Sequence, residues 1–510
     1  MSKLNPPLIT RHPSFTTTGP KLAFAAAVFL AILMVPVPSG LSVQGQEVLA
    51  IVAGAVVLWA TEALPVAVSS LLVVVMLNVT GGAKSPSESL AGFSSPIPFF
   101  LIGSQVMGAA VMESGLAARL AGKLVERSGG DPRKLTVQLL LALPFMAFLI
   151  PSAINRNTML IPAYEQVFRS LSVRRGDRLA QVIMLILGML NPLASSAFMT
   201  GGLASMTTST LLGGFTWLRW FALMAAPYYL LMALGGVMIY LLYRPTKETG
   251  SRPILAAVSR EGWGGESTTQ DSALGTQDKI TQYEMTQNPD ARTRNSLTRD
   301  ERVTLLVIAV TSVLWLTDFL HHWNSAIPAL MAGAALMWPG VGIFSWSQFE
   351  KMVSWSNFFF LGASLSLTQA LITSGAASWF AQGVLALFAG GATSTSTVLP
   401  ALFVILGTAV VHLLIPNQSA CIALLIPVVT AFATATGINP VAVGLIVGIV
   451  VDTVILYQVQ TVTILITYET GHFSTRDVSK VGLGMLVLTV AVVLLVAIPW
   501  WGLLGLPFAP

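Results

Sequence analysis

Two stretches of the chain carry residue types able to bind a small ion within apolar surroundings. The first is PSAINRNTMLIP (Pro151–Pro162) and the second is PNQSACIALLIP (Pro416–Pro427). Each follows an apolar run, opens on Pro and polar residues, and closes on an apolar run ending in Pro. Polar side chains and prolines at membrane depth are costly unless they line a cavity. A helix broken there aims backbone N–H groups and small side chains at one spot. Half-helix N-termini attract anions, and freed carbonyls can hold Na⁺. Ser152, Asn155, Arg156, Asn157 and Thr158 in the first stretch, and Asn417, Gln418 and Ser419 in the second, are therefore candidate substrate ligands. Ser152 and Ser419 are also candidates for a coupling ion. Asn and Ser donate to carboxylates and offer oxygen to alkali cations. The plainer alternative is that these groups only bond the broken backbone. The planar fork of Arg156 suits a carboxylate or sulfate; a salt bridge, or reach to the membrane edge, is its structural alternative.

A further interrupted segment follows each stretch. Ile183 to Leu203 contains Asn191-Pro192, Ser195-Ser196 and Thr200-Gly201-Gly202. Val441 to Ile466 contains Asp452-Thr453, Tyr457-Gln458 and Gln460-Thr461. Glycines and Pro imply unwinding in the first; the second gives a weaker signal. Thr200 and Thr461 are placed beside the anion, with Gly201, Asp452 and Gln460 as coupling-ion candidates. An isolated acid such as Asp452 inside an apolar run is a proton or cation site, or is bonded to a neighbouring helix. Glu62 and Asp318 occupy matching places in LWATEALP and LWLTDFL, which points to scaffold geometry rather than substrate chemistry. His321, His322 and His412 lack a second ligand at metal spacing. Cys421 is the single cysteine, which excludes a disulfide framework and favours packing. Without a phosphate loop, nucleophile elbow or zinc motif, the reading is neither an enzyme nor a metalloprotein, with no cofactor beyond a coupling Na⁺ or H⁺.

The elements that position these residues are membrane helices. The 510 residues are 54% hydrophobic and 10% charged, against about a quarter charged in soluble chains. Long apolar runs recur at Leu22–Val35, Val48–Ala60, Val66–Leu77, Val303–Leu316 and Val481–Pro499. With their flanks, several reach or approach the roughly 20 residues that span a bilayer. The net charge of +5 needs no nucleic acid, since basic cytoplasmic loops supply the excess.

The chain repeats. LWATEALP is echoed by LWLTDFL, and PIPFFLIGS (Pro96–Ser104) by SNFFFLGAS (Ser356–Ser364), before the Pro-bounded stretches recur in the same order. Between the halves, residues 244–302 hold nine basic and nine acidic residues, a polar cytoplasmic linker. The expected plan is a cytoplasmic tail at 1–21, a first repeat at 22–243, the linker, and a second repeat at 303–510. Basic residues at Arg119–Lys134 and Arg169–Arg178 flank the segment between them. Placed inside, they make residues 135–168 a re-entrant hairpin opening to the cytoplasm. The second hairpin, 399–435, then opens outside, giving an inverted repeat. Gly115–Glu126 is expected to lie along the cytoplasmic surface, and Thr216–Ala226 flat on the outer one, before a returning helix at Pro227–Leu242.

These features, with MESGLAARLAGKLV (Met112–Val125) and FSTRDVSKVGLGML (Phe473–Leu486), resemble the divalent anion/sodium symporter family of the ion-transporter superfamily. The resemblance covers nearly all the chain beyond the tail, apart from the linker. It implies an all-α, inverted-repeat, elevator-type transporter with about eleven transmembrane helices and two re-entrant hairpins. The implied protein is a homodimer in the cell (inner) membrane, with its N-terminus cytoplasmic. The family's tips read Ser-Asn-Thr; here the corresponding residues are Ser152-Ala153-Ile154 and Asn417-Gln418-Ser419. Arg156 looks like the arginine of a subgroup whose first tip reads Pro-Ser-x-Thr-Ala-Arg. The resulting expectation is a secondary-active carrier of di- or tricarboxylates, cation-coupled. Sulfate or another oxyanion is the close alternative. A channel, or a cation/proton antiporter titrating at Asp452, is the alternative from another class.

Overall fold

The computed structural model describes residues 15–61, 63–116, 119, 131–150, 152–245, 296–388, 398–415 and 417–509. Glu62, most of the 1–21 tail, most of the linker, and most of the Gly115–Glu126 segment lie outside the described residues. Among the described residues there is no strand. Within the described residues, seven helices are long and apolar enough to cross a membrane, and five shorter apolar helices accompany them. The end of the expected tail is already helical: α1 is Phe15–Met34. The end of the linker likewise forms the first turn of a helix at Arg299–Leu316.

The chain divides into two units, each drawing on both halves of the sequence. One holds residues up to Ser95 together with Trp355–Ala389. There α2 (Val43–Thr61) and α3 (Val66–Val79) pack with the Trp355–Thr373 helix. Trp59 meets Phe360 edge-on with ring centroids 5.0 Å apart. Gly92 lies so close to Gly362 that an added Cβ would sit 2.0 Å from its carbonyl oxygen.

The other unit holds Pro96–Ser354 and Gly390–Pro510, and with them every candidate ligand. Its helices are α4 (Pro96–Glu113), α5 (Pro132–Leu149), α6 (Ala153–Ser170), α7 (Arg178–Ser196), α8 (Leu203–Leu211) and α9 (Trp217–Tyr243). From the second half come α10 (Arg299–Leu316), α11 (Ala326–Leu336), α12 (Val398–Leu414), α13 (Gln418–Thr436), α14 (Pro440–Thr453), α15 (Val462–Glu469) and α16 (Thr475–Leu503). α7 is the most enclosed of the long spans, 94% buried. A buried ion pair joins the halves. Arg119 reaches Glu301 through Nε at 2.7 Å and Nη2 at 3.0 Å. Glu301 also closes a capping box with Thr298 at the start of α10. One carboxylate thus caps a helix and holds an arginine.

Two elements differ from the sequence reading. Thr216–Ala226 does not form a separate surface segment: α9 runs unbroken from Trp217 to Tyr243 with Pro227 inside it. A proline removes the N–H that would bond the carbonyl four residues earlier, here that of Leu223. The Trp501 indole donates to that carbonyl at 2.9 Å, and Trp500 donates to Ala222 at 2.8 Å. With the freed acceptor satisfied from α16, the helix continues. The second correction concerns the interrupted segments. The weaker signal marked the longer interruption: α14 stops at Thr453 and helix resumes only at Val462.

Candidate functional site

Both Pro-bounded stretches are helix–break–helix junctions built by the same local rules. α5 ends at Leu149, and Ile150, which precedes a proline, is extended at φ −124°, ψ 90°. Ser152 then caps α6, its hydroxyl accepting the Asn155 N–H at 3.3 Å. In the second stretch α12 ends at Leu414, and Asn417 caps α13, its Oδ1 accepting the Ala420 N–H at 3.0 Å. Ser, Asp and Asn are the side chains that best satisfy an exposed helix N-terminus.

Arg156 is fully buried, 0% exposed, one turn into α6. Its guanidinium reaches across the break: Nη1 donates to the Ile150 carbonyl at 2.6 Å, satisfying an acceptor at the frayed end of α5. Nε donates to Asn191 Oδ1 at 2.7 Å, and Nη2 to the Asn191 carbonyl at 2.9 Å. Asn191 replies with its amide, donating to Asn157 Oδ1 at 2.7 Å and to the Ala153 carbonyl at 2.9 Å. Asn157 in turn donates to the Thr463 carbonyl at 3.3 Å, at the start of α15. The Thr463 and Thr461 hydroxyls are 3.0 Å apart, and Thr461 caps α15. The first tip is thereby tied to interrupted helices from both halves.

A second cluster forms around Asp452, which is 2% exposed at the last turn of α14. Gln418 donates to Asp452 Oδ1 at 3.2 Å, and the Tyr228 hydroxyl to Oδ2 at 2.7 Å. Ser196, whose hydroxyl donates to the Pro192 carbonyl at 3.3 Å, lies close to the same carboxylate. Asn191 and Ser196 stand five residues apart on α7, about 7.5 Å of helix rise. One helix therefore carries a residue of each cluster. Asp452 is thus hydrogen-bonded to neighbouring helices.

The interruptions are built to last. Gln460 sits inside the second, its Oε1 accepting the N–H of Leu456 and of Tyr457 and its Nε2 donating to the His412 carbonyl at 3.2 Å. The first breaks after Ser196. A Cβ on Gly201 would lie 1.7 Å from the Ser195 carbonyl oxygen, so only glycine fits. Thr200 accepts the Trp217 indole N–H at 3.1 Å. The remaining candidates stand apart from these bonds. Thr158 bonds back to the Ile154 carbonyl of its own helix at 3.0 Å. Asn155 packs below Gly108 of α4, whose missing side chain makes room for it. Ser419 is buried next to Gln418.

Sequence reasoning missed Tyr228 and Thr463 and left Asn191 unassigned. Tyr228 carried no signal, since it is one of four tyrosines in a long apolar helix. Asn191-Pro192 was visible, but its partner 35 residues earlier was not.

Comparison with known proteins decides the family. The model described as the sodium:sulfate symporter transmembrane region matches residues 17–506. The chain belongs to that family. It is accordingly a multi-pass membrane transporter and not an enzyme. Among its relatives, a membrane protein of Cupriavidus necator is 25% identical over 94% of this chain and 92% of its own. The sodium-dependent dicarboxylate transporter SdcS of Staphylococcus saprophyticus is 21% identical over 93% of this chain and 90% of its own. Among solved structures, the YdaH transporter of Alcanivorax borkumensis aligns over 82% of this chain and 88% of its own, at 15% identity and a TM-score of 0.45.

Proposed function

We propose that this protein is a secondary-active carrier of small di- or tricarboxylates across the cell membrane, coupled to Na⁺. Family membership supplies the class, and the name of the Staphylococcus saprophyticus relative supplies the substrate and cation chemistry. The observation that carries the reading is the pair of capped helix breaks whose polar residues are joined to two further interrupted helices. Two helix N-termini, at Ser152 and Asn417, present positive dipole ends and N–H groups suited to carboxylate oxygens. Ser152, Asn155, Asn157, Asn417, Gln418 and Ser419 bind the anion in this reading, with Thr158 at its edge. Thr200 and Thr461 lie beside it. The interruptions around Gly201 and Gln460, with Ser152, Ser419 and Asp452, supply oxygen for Na⁺.

Arg156, a candidate ligand from its place in the sequence, takes a different role in this reading, one its bonds support. It is a positioning residue that pins the first tip to Ile150 and Asn191 and places a positive charge behind it. In the membrane the two junctions act as re-entrant hairpins of an inverted repeat, 22–243 and 303–510. The tail and linker lie on the cytoplasmic side, and substrate crosses by elevator motion within a homodimer.

Uptake of labelled succinate, malate, citrate and sulfate into proteoliposomes, with an inward Na⁺ gradient or none, tests the reading. Saturable, Na⁺-stimulated dicarboxylate uptake with counterflow is expected. Preference for sulfate would move the substrate to inorganic oxyanions. Flux without saturation or counterflow would indicate a channel, and proton flux without any anion an antiporter.

A further inference from the structure

A cavity of about 300 Å³, with no tip residue in its lining, lies between α4, α8, the start of α9 and the turn after α10. Its lining includes Ser209, Thr210, Phe215, Asp318, Trp323 and Asn324, and it holds no Lys or Arg. Asp318 is 6% exposed. Its Oδ2 accepts the backbone N–H of Trp217, the first residue of α9. Its Oδ1 is buried with no hydrogen-bond partner among the described residues. A buried carboxylate oxygen without a partner is strongly unfavourable unless an ion or donor meets it.

We propose that this cavity is a binding site for a monovalent cation, separate from the tips. The single carboxylate supplies one negative charge, which matches one positive charge rather than two. The Ser209 and Thr210 hydroxyls and the Asn324 amide, whose Oδ1 already accepts the Ala326 N–H at 3.0 Å and keeps a second lone pair, add neutral oxygen ligands to the lining. Phe215 and Trp323 add aromatic rings to the lining, and such rings attract alkali and alkylammonium cations alike. His322 stands at the exposed rim, and its backbone N–H bonds the Asp318 carbonyl at 2.7 Å. The site connects to the first interruption: Trp217 bonds Asp318 through its backbone and Thr200 through its indole. A bound cation would therefore fix the segment that includes Gly201. The proposal stands on the cavity alone and survives if the carboxylate reading fails.

The test titrates the purified full-length protein with NaCl, KCl or tetramethylammonium chloride, with N-methyl-D-glucamine chloride holding ionic strength constant. Thermal unfolding and tryptophan emission are read together. At least one cation should raise the unfolding temperature with a saturating dependence, and the tetramethylammonium arm separates organic from alkali binding. Asp318→Asn keeps an acceptor for the Trp217 N–H; it should abolish the K⁺ or tetramethylammonium response and cut the Na⁺ response to the component that the coupling-ion site supplies. Asn417→Ala, a tip variant, should leave the Asp318-dependent part in place. His322→Lys tethers an ammonium at the rim and should also remove that part, which gives a second route should Asp318→Asn fold poorly. A response equal in wild type and both Asp318→Asn and His322→Lys would overturn the proposal. So would a wild type with no saturable response, or a response lost only in Asn417→Ala.

Discussion

Truncating Arg156 tests the positioning role most sharply. Arg156→Ala strips the donor from three acceptors: the Ile150 carbonyl, the Asn191 carbonyl and Asn191 Oδ1. Each buried polar group left unpaired costs about 1–3 kcal/mol. Allowing for partial relaxation, the loss is about 3–6 kcal/mol, in the range reserved for breaking buried charged networks. The variant should therefore lose both transport and thermal stability, because the same three bonds hold the tip and close the end of α5. Arg156→Lys keeps the charge but cannot reach three divergent acceptors, so it should be intermediate in both. Asn191→Ala supplies the decisive comparison. If Arg156 acts by holding the tip, removing its partner should reproduce most of the transport defect while the charge remains. Uptake in proteoliposomes and thermal unfolding of the detergent-solubilised protein read the two effects. Wild-type stability and uptake in Arg156→Ala would refute the reasoning. Loss of uptake in Arg156→Ala with normal uptake in Asn191→Ala would assign the arginine to the substrate instead.

Three further outcomes follow from the same geometry. Tyr228→Phe removes a hydroxyl donor from buried Asp452 and should lower stability by about 1.5–3 kcal/mol, the range for a hydrogen bond to a charged group; an unchanged unfolding temperature would contradict it. Gly201→Ala drives a Cβ into the Ser195 carbonyl, so expression of folded protein or uptake should fall sharply, whereas Gly407→Ala, with open space around it and no positive φ, should be far milder in a size-exclusion assay. Glu301→Gln breaks the buried pair with Arg119 and should cost about 3–5 kcal/mol, a loss that added salt does not reproduce because the pair is shielded from solvent.

The class and the break points were legible because they rest on local sequence. Apolar run length gives membrane helices, and a Pro followed by a capping Ser or Asn gives a broken helix. The bonds that give the site its shape were not legible, because they join residues distant in the chain. Asn157 meets Thr463, and Tyr228 meets Asp452, only after the helices pack. The second interruption also escaped for a physical reason. Residues 454–461, VILYQVQT, contain no Gly or Pro. The break is held by Gln460, whose amide takes over bonds that a helix would have made to its own backbone. The reverse error came at Pro227. A proline that reads as a helix boundary is accommodated by Trp501, whose side chain bonds the freed Leu223 carbonyl 278 residues before it.

The central claim is that the two tips bind one anion. Cys421 is the single cysteine and is buried, so Ser152→Cys and Asn417→Cys, each made in a Cys421→Ser background, report the two tips separately. The decisive measurement is the rate of thiol-reagent labelling at each position, with and without saturating dicarboxylate or sulfate. The account predicts that the transported anion slows labelling at both positions with the same half-saturating concentration. Labelling that no transported anion changes at either tip would contradict it.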